Sequence, residues 1–454
     1  MAIDYLRRVP HLPVGEAASV DELRSALRMP LNDAPLDAAT VVEELVRAAE
    51  PGLVQTQSPR YFGFVIGGSL DAAIGADWLT TVWDQNAGGY PCGPSAAVAE
   101  EAVAEWIVDL LGLPHGSGVG LTTGCQMAHF TCLAAARSRL LAQTGWDVEA
   151  DGLFGAPPLR VLAGTHAHTT VFAALRMLGL GARRVELVDA DDQGRMRPGA
   201  LAQALRSGVG PAIVIAQAGE INTGAMDPFA QIADAVHDYG AWLHVDGAFG
   251  LWAAASPRLR DQVAGVERAH SWATDGHKWL HVPYDCGFAI VRDPDAQRVP
   301  LAAFSGAQYI PAAEHGERYG GDWVPEFSRR ARAFPVYAAI RTLGRSGVAE
   351  MVERCCSCAA LMAALLADVE GVEVLNDVAL NQVLVRITRD GVNVSDEVMH
   401  AVQDEGTCWM SGSSWHGEPV MRISVCNWRT QEADVQRSVA AIETCVRQAL
   451  FAKK

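Results

Sequence analysis

Residues 241–250 read AWLHVDGAFG and residues 271–287 read SWATDGHKWLHVPYDCG. In the first stretch Asp246 closes a mostly apolar run and is followed by Gly247 and Ala248, which places a carboxylate at the carboxyl end of a buried strand. A buried carboxylate needs a partner. In the second stretch Lys278 stands between His277 and Trp279, apolar company that solvates an ammonium poorly and favours a neutral, nucleophilic amine. Around these stretches, from residue 96 to residue 292, helical segments alternate with the short β-rich runs LRVLAG, RRVELVD, PAIVIAQAG, AWLHVDGAF and GFAIVRD. Such alternation specifies an α/β fold, a parallel sheet with helices on both faces.

The flanks differ. Before Tyr61 the chain holds two helical stretches, VDELRSALRM and DAATVVEELVRAAE, with too little apolar surface for a core of their own, so they are expected to pack on something else. Residues 301–327, rich in Gly, Tyr, Glu and Ala, have no clear period and are long enough to be an active-site loop or disordered. A long helical tract follows, and the end of the chain is read as strand, strand, helix, strand, helix: a smaller α+β domain. The expected division is an N-terminal helical segment at 1–95, a large domain at 96–344 and a small C-terminal domain at 345–454.

With 454 residues, half of them hydrophobic, the chain can fill two or three cores. A net charge of -17 repels nucleic acid and anionic lipid, and no basic stripe counters it. MAIDYLRRVPHLPVG has no apolar stretch fit for a signal peptide, and no long uncharged apolar run follows. The expectation is a soluble cytoplasmic protein with neither membrane nor nucleic-acid partner. Ten cysteines are too sparse for a disulfide scaffold. Cys355, Cys356 and Cys358 contain a CxxC but lie in an apolar helical tract, where core packing explains them better than redox or metal chemistry.

A strand-end acid, a small residue two positions on, and a lysine one βα unit downstream form the set that a pyridoxal 5'-phosphate site requires. The lysine makes the imine and the acid keeps the pyridine nitrogen protonated. Upstream, VGLTTGCQMAHF sets Gly124, Cys125 and Gln126 at a helix start, where free N–H groups can cradle a phosphate. His166 and His168 in LAGTHAHTTV fall between a strand and a helix, where an imidazole can stack on a cofactor ring. Neither this pair nor His277 with His281 has the carboxylate or cysteine that would complete a metal set, so no metal is expected.

From Tyr61 onward the strings HAHTTV, HVDGAFG, DGHKWLHVPYDCG, WVPEFSRRARAF and MRISVCNWRT occur in an order that resembles the group II pyridoxal-dependent amino-acid decarboxylases, which include aromatic-amino-acid, glutamate and histidine decarboxylases. The resemblance implies the fold type I architecture, a mostly parallel seven-stranded sheet with a smaller C-terminal domain. It also implies amino-acid decarboxylation with pyridoxal 5'-phosphate as cofactor, and a homodimer whose active sites sit at the subunit interface. Carried over by position, it makes Lys278 the imine lysine, Asp246 the partner of the pyridine nitrogen, and His168 and Ala248 the covers of the two ring faces. His277 would reach the phosphate beside Gly124, Cys125 and Gln126, and Asp275 would touch the cofactor. Relatives deliver a proton from a loop tyrosine; of Tyr309 and Tyr319, the latter lies nearer the Trp323 anchor and is the favoured donor.

There are departures. Where many relatives carry a Gly-Thr-Thr turn, this chain has AGEINTGAMDP, with Glu220 and Ile221 in place of two hydroxyls. Ala97 replaces a threonine that aromatic-amino-acid decarboxylases place near the substrate. Arg329 and Arg330 suit either a substrate carboxylate or an interface. Tyr61 and Phe62 in YFGFVIGG suggest an aromatic wall, suited to an aromatic or apolar amino acid. Competing readings keep the cofactor but change the bond broken (aldehyde synthase, retro-aldol lyase, aminotransferase), or take the chain as a scaffold without catalysis.

Overall fold

The computed structural model describes residues 1–15, 17–302, 308 and 316–451. Seven strands build the large sheet: β1 (Gly118–Thr122), β2 (Arg160–Gly164), β3 (Val185–Val188), β4 (Ala212–Gln217), β5 (Trp242–Asp246), β6 (Ser271–Asp275) and β7 (Gly287–Val291). Their spatial order is β1-β7-β6-β5-β4-β2-β3. β7 runs antiparallel to both its neighbours, and the other pairs are parallel. Each β-rich run singled out in the sequence is a strand. β1 and β6 were not among them: GVGLT is short and glycine-rich, and SWATD lacks the Val and Ile that announce a strand; burial of both strands in the sheet overrides that weak propensity.

Alternation along the strands sorts side chains between two apolar clusters. Ile213, Ile215, Trp242 and Ala273 face the helices Cys125–Gln143 and Thr169–Met177, whereas Val214, Leu243, Val245 and Trp272 face the cluster that includes Ile107 and Ile232. His244 and Asp246 share the parity of Trp242, so they point at helix Cys125–Gln143. The core thereby delivers two polar side chains of β5 to the start of the helix that the sequence reading marked as a phosphate cradle.

A second sheet, antiparallel throughout, holds β8 (Val372–Val374), β9 (Gln382–Arg389), β10 (Val392–Asn393), β11 (Ser411–Trp415) and β12 (Glu418–Ser424) in the order β10-β9-β12-β11, with β8 also on β9. The long helix Ala333–Ala367 is broken at Gly344, whose φ of 60° and ψ of -178° are not helical. We propose that the large and small domains, 96–344 and 345–454, divide at this break. Cys355 and Cys358 are buried in the second half of that helix, and all ten cysteines are free.

The N-terminal helices Val20–Leu27 and Ala38–Ala49 bury no residue completely, and Leu31 between them is 96% exposed. Local chemistry sets their starts: Ser19 and Glu22 form a capping box, and Asp37 accepts from the Thr40 amide. The end of this segment docks on the small domain. Phe62 exchanges backbone hydrogen bonds with Trp409 and Ser424, and its ring is buried in the small domain's core, which removes it from the expected aromatic wall.

Arg329 is structural. It donates to Glu100 and to the carbonyls of Ala87 and Leu121, all in the interior, while Arg330 pairs with Asp77. A buried ion pair broken on one side leaves an uncompensated charge. Glu100→Leu is therefore expected to cost about 3–5 kcal/mol in urea unfolding, and a loss below about 1 kcal/mol would contradict this assignment.

Candidate active site

β6 ends at Asp275, and the single helical turn Gly276–Trp279 that follows brings Lys278 back over the strand end, its Nζ 3.1 Å from Asp275 Oδ2. The other oxygen of Asp275 accepts from the Cys125 amide at 2.6 Å and lies 3.4 Å from His277 Nε2. One carboxylate thus ties the lysine to the start of helix Cys125–Gln143. Burial pushes the Lys278 amine down, but Asp275 foremost, with Cys125 and Asp246, outweighs it and the net direction is up. This corrects the expected neutral amine: His277 and Trp279 flank Lys278 in sequence, yet a carboxylate three residues back solvates the ammonium. Lys278 is one of three lysines in the chain, the others being the terminal Lys453 and Lys454.

Asp246 ends β5 as expected. Its Oδ1 accepts from the Ala248 amide at 3.2 Å and lies 3.9 Å from the Cys125 thiol, and its Oδ2 is 3.5 Å from His129 Nε2. Burial acts to raise its pKa, but His129 chiefly, then His168 and Lys278, hold the carboxyl well below the usual carboxylate range. These partners favour the ionised form of a carboxyl that burial alone would protonate. His129 was not singled out in the sequence, although it falls one helical turn after Cys125. Among the described residues, the group that brings three potential metal donors within 4.8 Å of one another is Cys125, His129 and Asp246, not the histidine or cysteine pairs weighed from the sequence.

His168 caps helix Thr169–Met177, its Nδ1 2.8 Å from Thr170 Oγ1. Burial lowers its pKa, opposed by Asp246, with Lys278 and Arg422 also in electrostatic reach. His166 turns elsewhere, against Trp415. His277 accepts from the Cys286 amide and lies beside Tyr284, ring centroids 4.4 Å apart, while His281 is buried against Gly67. Gly124 precedes the helix with φ 146° and no side chain caps it; a Cβ there would come within 3.1 Å of His277. The Ala248 carbonyl accepts from the Asp275 amide, and Gln126 is exposed.

Elsewhere the structure redistributes the expectations. Tyr319 is buried at the β1 edge, between Arg318, which donates to the Val119 carbonyl, and Gly320, packed on Ala87 and Glu100. Tyr309 lies outside the described residues. Glu220 accepts from the amides of Asn222 and Thr223, so it caps its own turn, and Ile221 packs on the large core. Ala97 is buried in helix Pro94–Leu110. Two residues passed over in the sequence stand near the cluster. Tyr284 is beside His277, and Arg422, in buried strand β12, has an unpartnered Nε and bonds Ser411 Oγ at 3.3 Å.

An amine, an ionised buried carboxylate, an imidazole and an uncapped helix start next to a left-handed glycine are the donor set a pyridoxal phosphate demands, so the residues fit that group. The family model described as the pyridoxal-dependent decarboxylase conserved domain matches residues 21–388. The chain belongs to the pyridoxal-dependent decarboxylase family. It is a carboxy-lyase whose cofactor is pyridoxal 5'-phosphate. It is 25% identical to the aromatic-L-amino-acid decarboxylase of Bacillus atrophaeus, over 99% of this chain and 94% of that one. It is 28% identical to tryptophan decarboxylase 1 of Oryza sativa subsp. japonica, over 77% and 71%. The crystal structure of Oryza sativa TDC with PLP and tryptamine shares the fold, with a TM-score of 0.90 at 23% identity over 99% of this chain and 96% of that chain. No helix among the described residues of this decarboxylase is long and apolar enough to cross a membrane.

The decarboxylase keeps several histidines neutral by burial. His244 is held well below its ordinary 6.5, His270 is lowered to about 4 and His281 to about 3. The unfolded chain therefore takes up protons first as pH falls, so this contribution to stability is complete above 6.5 and is lost toward the folded values. Near pH 5 these three rings add about three protons to the uptake on unfolding, and Asp227, whose carboxyl burial pushes up to about 6, gives back about one, which leaves a slope of about 3 kcal/mol per pH unit. Urea unfolding from pH 7 to 5 measures it, and a flat profile would contradict the burial of these rings.

Proposed function

We propose that this decarboxylase converts an L-amino acid with an aromatic or apolar side chain to its amine and carbon dioxide, working as a homodimer. The carrying observation is the meeting of Lys278, Asp246 and His168, with the buried guanidinium of Arg422 on the His168 side. Lys278 would hold the cofactor aldehyde, Asp246 the ring nitrogen, and His168 and Ala248 the ring faces. Gly124, Cys125, Gln126, His277 and Asp275 would surround the phosphate end. When bound, the cofactor supplies an electron-withdrawing ring that stabilises the charge left at Cα as carbon dioxide departs.

The chain's own groups would do the rest. Arg422 would take a substrate carboxylate, since its Nε is unpartnered and Glu220, the carboxylate whose charge reaches it, directs its oxygens to its own turn. A neutral His168 beside that carboxylate adds shape and excludes water without a second cation. Tyr284, exposed beside His277, offers flat apolar surface for an aromatic side chain, in keeping with the aromatic decarboxylases among the relatives, whereas Tyr61 is buried against Trp409.

Tyr319 is assigned the proton returned to Cα. Tyr319 is buried within one subunit, so this role requires that the dimer open the β1 edge toward a second Lys278. Exposed Val82 and Trp83 on helix Asp71–Trp83 supply apolar surface for such contact.

The test is product analysis over a panel of amino acids, with light scattering of the same protein. The expected result is stoichiometric amine and carbon dioxide from aromatic substrates, by a particle of twice 48.4 kDa. Tyr319→Phe should divert product from amine to aldehyde under oxygen. An amine yield unchanged in that variant rejects the tyrosine, and no carbon dioxide from any aromatic or apolar amino acid rejects the substrate class.

A further inference from the structure

Asp246 sits at the end of a buried polar chain that the proposed reaction does not use. Trp242 Nε1 lies 2.9 Å from Ser271 Oγ, Ser271 Oγ 2.9 Å from His244 Nδ1, and His244 Nε2 2.9 Å from His129 Nδ1. His129 Nε2 in turn stands 3.5 Å from Asp246 Oδ2. His129, His244 and Ser271 are 0% exposed, and no bulk water reaches the run. Its geometry follows from the sheet: Trp242, His244 and Asp246 share one face of β5, Ser271 lies alongside on β6, and His129 comes down from the covering helix.

The ends fix the direction of the hydrogens. Indole N–H only donates, so Ser271 Oγ accepts from Trp242; an ionised carboxylate only accepts, so His129 Nε2 carries hydrogen toward Asp246. With His129 neutral, its Nδ1 accepts from His244 Nε2, and His244 Nδ1 accepts the Ser271 hydroxyl hydrogen. Every donor then points at Asp246. With His129 protonated, the last link becomes an ion pair and His129 donates to His244 instead. In both arrangements His129 is the donor that faces Asp246, whose remaining partners are one amide at 3.2 Å and a weak thiol donor at 3.9 Å. Without His129, those two donors and the charges of His168 and Lys278 are left to oppose burial, which pushes the carboxyl toward its neutral form.

We propose that His129, oriented by His244, is a positioning residue that keeps Asp246 ionised for the pyridine nitrogen and so sets how tightly the chain holds a nitrogen-bearing ring. The inference rests on the assignment of Asp246 to that nitrogen, and one titration separates the two. Cofactor-free protein is titrated with pyridoxal 5'-phosphate and with its 1-deaza analogue, in which carbon replaces the ring nitrogen, and binding is read by fluorescence quenching.

Asp246→Ala and His129→Leu should each raise the Kd for pyridoxal phosphate by about tenfold or more, the scale of a charge-assisted hydrogen bond, while moving the Kd of the deaza analogue less than about threefold. His129→Gln, whose side-chain amide reaches the place of the imidazole Nε2 and keeps an N–H toward Asp246, should recover most of the affinity, and His244→Gln should fall between. If His129→Leu and His244→Gln weaken both ligands equally, or neither, while Asp246→Ala discriminates, the positioning role is overturned. If Asp246→Ala does not discriminate, the assignment of Asp246 fails and the proposal with it.

Discussion

A carboxylate kept ionised out of reach of water is the constraint around which this structure is arranged. Asp246 closes the buried strand β5, where burial alone would protonate it, and it stays charged because the interior supplies donors. Supplying them dictates much else. The helix after β1 must cross over β5 closely enough for His129 to reach it, and the residues two and four positions earlier on the strand must share its face. Ser271 must then stand beside His244 on β6. The parallel pairing of β5 with β6, His244 against Ser271 and Asp246 against Ala273, sets that register.

The next strand end carries the second half of the arrangement. Asp275 neutralises Lys278 and grips the Cys125 amide, so the amine and the helix start are positioned by one side chain. The small domain completes the surroundings through polar ties to the Glu220 turn. Asn376 donates to the Thr223 carbonyl, and Ser413 donates to Asn222. These bonds fasten the β11 and β12 region, and Arg422 with it, beside the strand ends of the large sheet. Glu220, with its oxygens on the amides of Asn222 and Thr223, makes sense here as a turn capped from within rather than as a ligand of phosphate.

Much of the fold was legible because its strands are strongly apolar and its helices strongly periodic; LRVLAG, PAIVIAQAG and AWLHVDGAF all stand where the pattern put them. β6 was not, since SWATD is strand only by virtue of its neighbours. Asp246, Asp275, His168 and Lys278 were visible as residue types at telling positions. Their charge states were not, because Asp275 reverses the effect of the apolar neighbours of Lys278. His129 and Arg422 lay hidden for different reasons. The first needs the crossing of a helix over a strand, a tertiary fact. The second carried a signal that went unused, a charged residue inside the buried strand PVMRIS. Phe62 shows the converse error: aromatic company suggested a pocket wall, while packing placed it in a core.

The claim on which all of this turns is that Lys278 carries the cofactor, and the chain's poverty in lysine makes it unusually easy to check. Reduction of the holoenzyme with borohydride, proteolysis and mass spectrometry should place a single phosphopyridoxyl group on the peptide containing Lys278. A label found instead on Lys453 or Lys454, the other two lysines, or on no lysine at all, would contradict the account.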